Sequence, residues 1–352
     1  MPGWAPERVA GGQPAGSRES KVESKGAVIV DSDESKRNVV VRLELPFALE
    51  HRGRPEREQV VGWDRQRTTA YLEALRREIA SNAGEFADCQ VKAVRLGGGI
   101  ATNAPADELW KVCKTLRESL NLAKDTPMSA RASICNVSGA SMPYLRRAGV
   151  TRFDFELLAL DSSDFCRLNH TDAIQGLGYI EDSFLHAYAN KTLGVVLAYG
   201  YDAPDTRSFR RTIVQFTRMP AHHLILEPWK GPGVPQASAE LAAAQLVEAN
   251  DVLTKAGFVE YAPHRFARPG DEDLFWALQS AGGRDGDGAH GDGGATEGSA
   301  SAAPGCEVLG FGLGATTRFD GVESTNTADW DTYVQFAGDF TKITASVRKI
   351  EG

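Results

Sequence analysis

Nowhere in the 352 residues is there an uninterrupted apolar run approaching the ~20 residues that a membrane-spanning helix requires, and the N-terminus has no apolar core of the secretion-signal kind. On these grounds the chain is expected in the cytoplasm, with no membrane span. The five cysteines (Cys89, Cys113, Cys135, Cys166, Cys306) are scattered, and no two stand at CxxC spacing. A disulfide framework and a local zinc site are both excluded as readings of such spacing. An excess of basic residues is also lacking: 39 Lys and Arg face 47 Asp and Glu, for a net charge of −8. Phosphate backbones are held by clustered Lys and Arg, so nucleic acid is excluded as a partner.

What is present is a chain 42% hydrophobic, long enough for one large barrel or two ordinary domains. Residues 1–37 are rich in Gly, Pro, Ser and charge and read as a disordered tail. The organising stretch is VKAVRLGGGI at 91–100: a β-branched run that stops at Gly97, Gly98 and Gly99 and leads, past a proline, into an amphipathic helix from about Asp107. On that helix Leu109, Val112, Cys113, Leu116 and Leu120 share a stripe. Glycines without Cβ let a ligand come close to the backbone, or simply allow a tight turn of a parallel sheet.

Similar units recur. Strands are expected at 38–45, 91–96, 128–135, 151–158, 193–201 and 222–227, and helices from about Arg65, through Met142 and Leu145 to a capping Gly149, around 179–189, at 208–217 and at 238–256 before Gly257. Repeated βα units imply a parallel sheet, and six of them a partial or full barrel. Beyond 257 the pattern changes to a short strand and irregular arm at 258–270, a Gly-rich flexible insertion at 279–305, a strand ending in glycines at 307–317 and a closing helix near 327–340.

Several side chains invite a chemical reading beside a structural one. His222, His223, Glu227 and His264 could together hold a metal or a heme iron, although such histidines are more often hydrogen-bonded core or surface residues. Asp154 and Glu156 alternate with Phe153, Phe155 and Leu157, so both carboxylates share a face; burial would raise their pKa values, and pairing with an arginine such as Arg152 is the favoured alternative. Cys135 reads as a thiol at the barrel mouth or a buried structural one, and Arg268 as a brace for the arm.

The order of landmarks resembles one family. PF at 46–47, LGGG at 96–99, LRRAGVTR at 145–152, YG at 199–200, AGF at 256–258, FARPG at 266–270 and GFGLGA at 310–315, with Asn326 and Tyr333 beyond, are similar to the radical S-adenosylmethionine proteins related to oxygen-independent coproporphyrinogen III oxidase and to the heme chaperone derived from it. The resemblance implies an α/β fold, a radical-SAM-like six-stranded partial (β/α)6 TIM-type barrel over 38–256, with a small coproporphyrinogen-oxidase-like C-terminal extension over 257–352. It implies S-adenosylmethionine at the C-terminal ends of the strands, near Gly97, Gly98, Gly99, Tyr199 and Gly200, and a [4Fe–4S] cluster held by CxxxCxxC after the Pro-Phe pair. Here those three places are Ala48, Arg52 and Pro55. The acidic residue of the third strand falls near Arg131, the polar pair after the fourth becomes Leu158 and Ala159, and the fifth-strand aspartate becomes Val196.

Three functions follow as expectations: a barrel that has lost its cluster and binds a tetrapyrrole or a partner protein, with His264 a candidate heme ligand; a radical oxidoreductase of porphyrin metabolism with an atypically ligated cluster; or a barrel recruited to hydrolysis or transfer. For the last, no nucleophile–base pair stands out. The first is the reading taken forward, with the cluster expected absent.

Overall fold

The structure, a computed structural model, describes residues 36–48, 60–61, 64–133, 140–169, 193–203, 207–231, 233–280 and 306–350. Residues 1–35 of the expected tail over 1–37, the helix around 179–189, the cluster positions Arg52 and Pro55, Cys135, and residues 281–305 of the expected insertion lie outside the described residues, whereas Arg37, expected in the tail, opens the first strand.

Residues Lys36–Gly352 make one unit. In chain order it begins with β1 (Arg37–Glu44), the two-residue β2 (Phe47–Ala48) and β3 (Val60–Val61), α1 (Arg65–Ser81), β4 (Cys89–Gly97), α2 (Ala106–Ser119), β5 (Met128–Ala132), α3 (Met142–Ala148) and β6 (Arg152–Leu158). There follow α4 (Ser162–Asn169), β7 (Leu193–Tyr199), α5 (Ser208–Phe216), β8 (His223–Pro228) and α6 (Ala239–Lys255). The C-terminal part comprises β9 (Val259–Ala262), β10 (Arg265–Ala267), α7 (Leu274–Ser280), β11 (Glu307–Phe311), β12 (Thr316–Phe319), β13 (Val322–Asn326), α8 (Trp330–Phe336), α9 (Phe340–Ile343) and β14 (Thr344–Lys349).

All six strands expected from the sequence lie side by side in the order β1-β4-β5-β6-β7-β8, every pairing parallel. They form an open sheet with one face toward the helices. On that face Val39, Val41, Leu43, Val94, Leu96, Phe153 and Phe155 pack with Tyr71, Leu72 and Leu75 of α1 and the buried stripes of α2 to α6. The alternate residues of β1 and β4, Val40 and Ala93, meet Phe275 and Trp276 of α7 on the inner face, so α7 closes the N-terminal end of that face. Gly149 takes φ +87 at the end of α3, and Gly257 φ +83 after α6, conformations an L side chain resists.

Three C-terminal expectations need correction. Within 258–270 the chain forms a hairpin with one register shift rather than a short strand and an irregular arm: β9 pairs with β10, and β10 runs antiparallel on the free edge of β8. Residues 279–280, where the insertion is expected to start, are the end of α7. After α8 and α9 the chain does not close on a helix but on β14, which pairs antiparallel with β13. On the other edge β11 adds parallel to β1 and carries β12, β13 and β14 outward, so the sheet has 12 strands.

Candidate functional site

In parallel α/β sheets the carboxyl ends of the strands gather the loops, and a ligand site belongs there. The candidate site is this mouth together with the inner face beneath it. Hydrophobic alternation puts Arg42 and Glu44, Arg95, Arg131, Asp154 and Glu156, His223 and Glu227 on the face opposite the helices, and burial in a low dielectric obliges each charge to find a partner.

The lower layer centres on Asp154. The Arg95 guanidinium, 2% exposed, donates to Asp154 Oδ2, and His223 Nδ1 lies 3.1 Å from Oδ1. The far ring nitrogen, Nε2, is 2.5 Å from the Tyr261 hydroxyl. Burial alone would raise the Asp154 carboxyl, but Arg95 and then His223 hold it well below the usual carboxylate range. Burial keeps His223 below the ordinary histidine value against the pull of Asp154. An ionised Asp154 can only accept, so Nδ1–H donates to it and Nε2 accepts from Tyr261. Gly194 of β7 makes room for this, since a Cβ there would strike Asp154 Oδ1 and stand 3.1 Å from His223 Nδ1.

One layer nearer the mouth, Arg131 Nε donates to Glu156 Oε2 at 2.6 Å, while Nη1 and Nη2 donate to the two oxygens of Glu227 at 2.6 and 2.8 Å. The arginine is 3% exposed. Between β6 and β8, the β7 residue in register with Glu156 is Val196. Asp154 and Glu156 thus face inward as expected and pair with arginines, but with Arg95 and Arg131 rather than with Arg152, and Asp154 is shifted down, not up.

Gly97, Gly98 and Gly99 lie at the mouth end of β4. Leu45 N donates to Gly97 O at 2.7 Å and Ile100 N to Phe47 O at 2.7 Å. A Cβ on Gly99 would meet Phe47 O at 2.5 Å and Leu45 O at 2.6 Å; one on Gly98 would strike the Glu44 carboxylate, and Gly98 also has φ +81. These two glycines therefore accommodate the chain's own backbone leaving β1 toward Ala48. At Gly97 the nearest neighbour of a Cβ is Arg95 Cγ at 3.6 Å, an ordinary contact.

Tyr199 and Gly200 end β7, three places along the sheet from β4. Gly200, at φ +74, gives its N–H to Gln245 Oε1 at 2.6 Å, and its carbonyl accepts from Ala237 N at 2.8 Å. The Tyr199 ring lies 5.5 Å from the ring of His264. His264 occupies the β9–β10 turn at φ +59, and its carbonyl accepts from Leu226 N at 2.9 Å, which sets it beside the mouth end of β8. Burial lowers its pKa, so the imidazole is neutral near pH 7.

The sequence-predicted residues thus form two groups: the three glycines on β4, and Tyr199, Gly200 and His264 around β7 and β8. His223, Glu227 and His264 do not converge, since His223 is committed to Asp154 and Tyr261 and Glu227 to Arg131; among the described residues no three His, Cys, Asp or Glu side chains stand in a metal-ligand arrangement. Arg268 does brace the hairpin, with Nη1 3.4 Å from Ala256 O and its guanidinium 4.6 Å from the centre of the Phe258 ring. Arg95, Tyr261 and Glu78 were missed. The first carried a signal, a cation two residues before the glycines in an otherwise apolar stretch, Ala93–Leu96.

No family model matches the chain. It is 24% identical over 236 residues to the oxygen-independent coproporphyrinogen III oxidase of Salmonella typhimurium and 23% identical over 236 residues to that of Escherichia coli strain K12, matches taking in 61% of this chain and 49% of each relative. The match spans about half the length of those curated relatives. The solved structure of coproporphyrinogen III oxidase from Escherichia coli, a radical SAM enzyme, aligns with a TM-score of 0.71 at 19% identity, over 90% of this chain and 73% of that one. The open parallel sheet is therefore the radical SAM type of fold seen in that enzyme, and the chain is a weak sequence homologue of the oxygen-independent coproporphyrinogen III oxidases.

Proposed function

We propose that the chain is a coproporphyrinogen-oxidase-like barrel that does no radical chemistry and receives a tetrapyrrole at its mouth. The observation that carries this reading is where sulfur stands. Clusters of the [4Fe–4S] kind are held by thiolates. Ala48, Arg52 and Pro55 offer a methyl group, a guanidinium and a proline ring in their place. Among the described residues Cys89 begins β4 and Cys306 immediately precedes β11, both at the end of the sheet away from the mouth. Cys113 is buried on α2, its thiol pushed up to about 12 by burial, and Cys166 belongs to α4. This donor set is dispersed and does not fit the cluster, so no step is routed through one.

At the mouth, Tyr199 and His264 supply what a flat aromatic macrocycle uses: a ring to pack on and a neutral imidazole nitrogen. Titration of heme into the protein and into His264→Ala tests the reading. The expected result is a Soret band that shifts and weakens on substitution. An unchanged band removes His264 from the account, and no band in either protein removes the tetrapyrrole and leaves a protein partner as the occupant.

A further inference from the structure

The inner face of the sheet is filled from below by the chain's own side chains. Trp276 and Phe275 stand over Val40 and Ala93, the Arg265 guanidinium lies 3.6 Å from the centre of the Trp276 ring, and the Arg95, Asp154, His223 and Tyr261 layer follows. Above that layer, Arg131 of β5 reaches Glu156 on β6 and both oxygens of Glu227 on β8, passing β7 where Val196 offers no polar atom. The Glu156 and Glu227 carboxylates at this height both accept from this one guanidinium. The fork on Glu227 is bidentate, the geometry in which an arginine–carboxylate pair is strongest. A nucleoside entering at this height would have to break these bonds and leave a buried charge without its counter-ion, which is strongly unfavourable. Gly98 and Gly99 give it no second place, because Gly98 is packed against Glu44 and Leu45 N, and Gly99 against the Leu45 and Phe47 backbone.

From this geometry we infer that Arg131 is a strut across the inner face, standing where the resemblance puts the polar contacts of S-adenosylmethionine, so that the barrel is closed to that nucleoside and complete without it. This inference does not depend on a tetrapyrrole at the mouth, since Tyr199 and His264 lie on the rim above the strut, and the heme titration reads neither of its parts.

The experiment is thermal melting of the full chain, alone and with millimolar S-adenosylmethionine or S-adenosylhomocysteine, the latter needing no cluster iron for its nucleoside to bind. Wild type should melt at the same temperature with and without either compound. Arg131→Met, which strands two carboxylates, should melt roughly 6–10 °C lower or fail to fold. Arg131→Met combined with Glu156→Gln and Glu227→Gln, which leaves no unpaired charge, should fold and recover most of that loss. A saturable rise of the wild-type melting temperature with S-adenosylhomocysteine would overturn the exclusion. An Arg131→Met protein melting within about 1 °C of wild type, or a triple variant no better than the single one, would overturn the strut.

Discussion

A carboxylate enclosed by protein must be met by donors or give up its charge, and Glu78 of α1 shows the two tendencies in competition. It is 3% exposed and accepts from Tyr333 Oη at 2.6 Å, Asn326 Nδ2 at 2.6 Å and Gly312 N at 2.8 Å. Burial nevertheless pushes its pKa up to about 7 from an ordinary 4.5. Because the folded value is the higher one, the native state holds this proton more tightly than the unfolded chain does. The resulting stability is complete below about pH 4.5 and is lost as the pH rises through about 7, an effect on the order of 3 kcal/mol. Melting temperature measured across that window should fall with rising pH, and Glu78→Gln, which cannot ionise, should flatten the slope. The same residue marks what was legible in the sequence. Asn326 and Tyr333 stood out through the resemblance, yet their acceptor lies 248 and 255 positions earlier, in a helix that shows itself in the sequence through Leu72, Leu75 and Ile79 at helical spacing. Arg95 and Asp154 are 59 positions apart, and only the fold brings them into one layer.

The elements divide the same way, according to how much apolar surface each buries. The parallel strands are covered on both faces: β1 and β7 read as β-branched or apolar runs and β6 as an aromatic alternation, while α2, α5 and α6 show a stripe at helical spacing. β14, TASVRK, is exposed at five of its six positions and lies at the sheet edge, where no pattern of burial exists to be read. The β9–β10 hairpin is hidden for a related reason: Val259 and Glu260 are exposed, and pairing with β8 rather than its own hydrophobicity makes it a strand pair. The glycine turn after β4 was visible as a turn, while its cause was not. Because Gly99 faces backbone at 2.5 and 2.6 Å, Gly99→Ala must displace the segment that leaves β1 and should cost about 1–3 kcal/mol. Gly97→Ala, with 3.6 Å to Arg95 Cγ, should lie within about 0.5 kcal/mol of wild type. Denaturant unfolding of the two variants separates them; equal losses would mean that the turn answers to a general loss of glycine freedom and not to the close approach of residues 45–47.

At the scale of the whole molecule, the parallel sheet and its two antiparallel wings share the fold of the solved coproporphyrinogen III oxidase structure. The β9–β10 hairpin supplies Tyr261 to His223 of β8, α7 closes the base of the inner face, and the segment from β11 to α8 supplies Gly312, Asn326 and Tyr333 to Glu78 of α1, so each wing is fastened to the rest of the fold by buried polar contacts between the chain's own groups. An architecture held this way should withstand the absence of iron. Anaerobic reconstitution of the wild type with iron and sulfide should leave its melting temperature unmoved, yield no iron–sulfur charge-transfer band and release no 5′-deoxyadenosine. Stoichiometric iron together with deoxyadenosine release would instead establish an atypically ligated cluster. Restoring the thiolates asks how much of the site is missing besides them. In the combined variant Ala48→Cys, Arg52→Cys and Pro55→Cys, three donors return at CxxxCxxC spacing, the pattern that thiolate ligation of such a cluster requires. Partial cluster assembly is expected, but no turnover, because Arg131 still spans β5, β6 and β8 and Val196 still offers no polar contact on β7. Adding Arg131→Met, Glu156→Gln and Glu227→Gln to that variant then separates the two losses: if deoxyadenosine appears only when both sets of changes are present, the strut and the missing thiolates are independent barriers, and if it appears with the cysteines alone, the strut is no barrier.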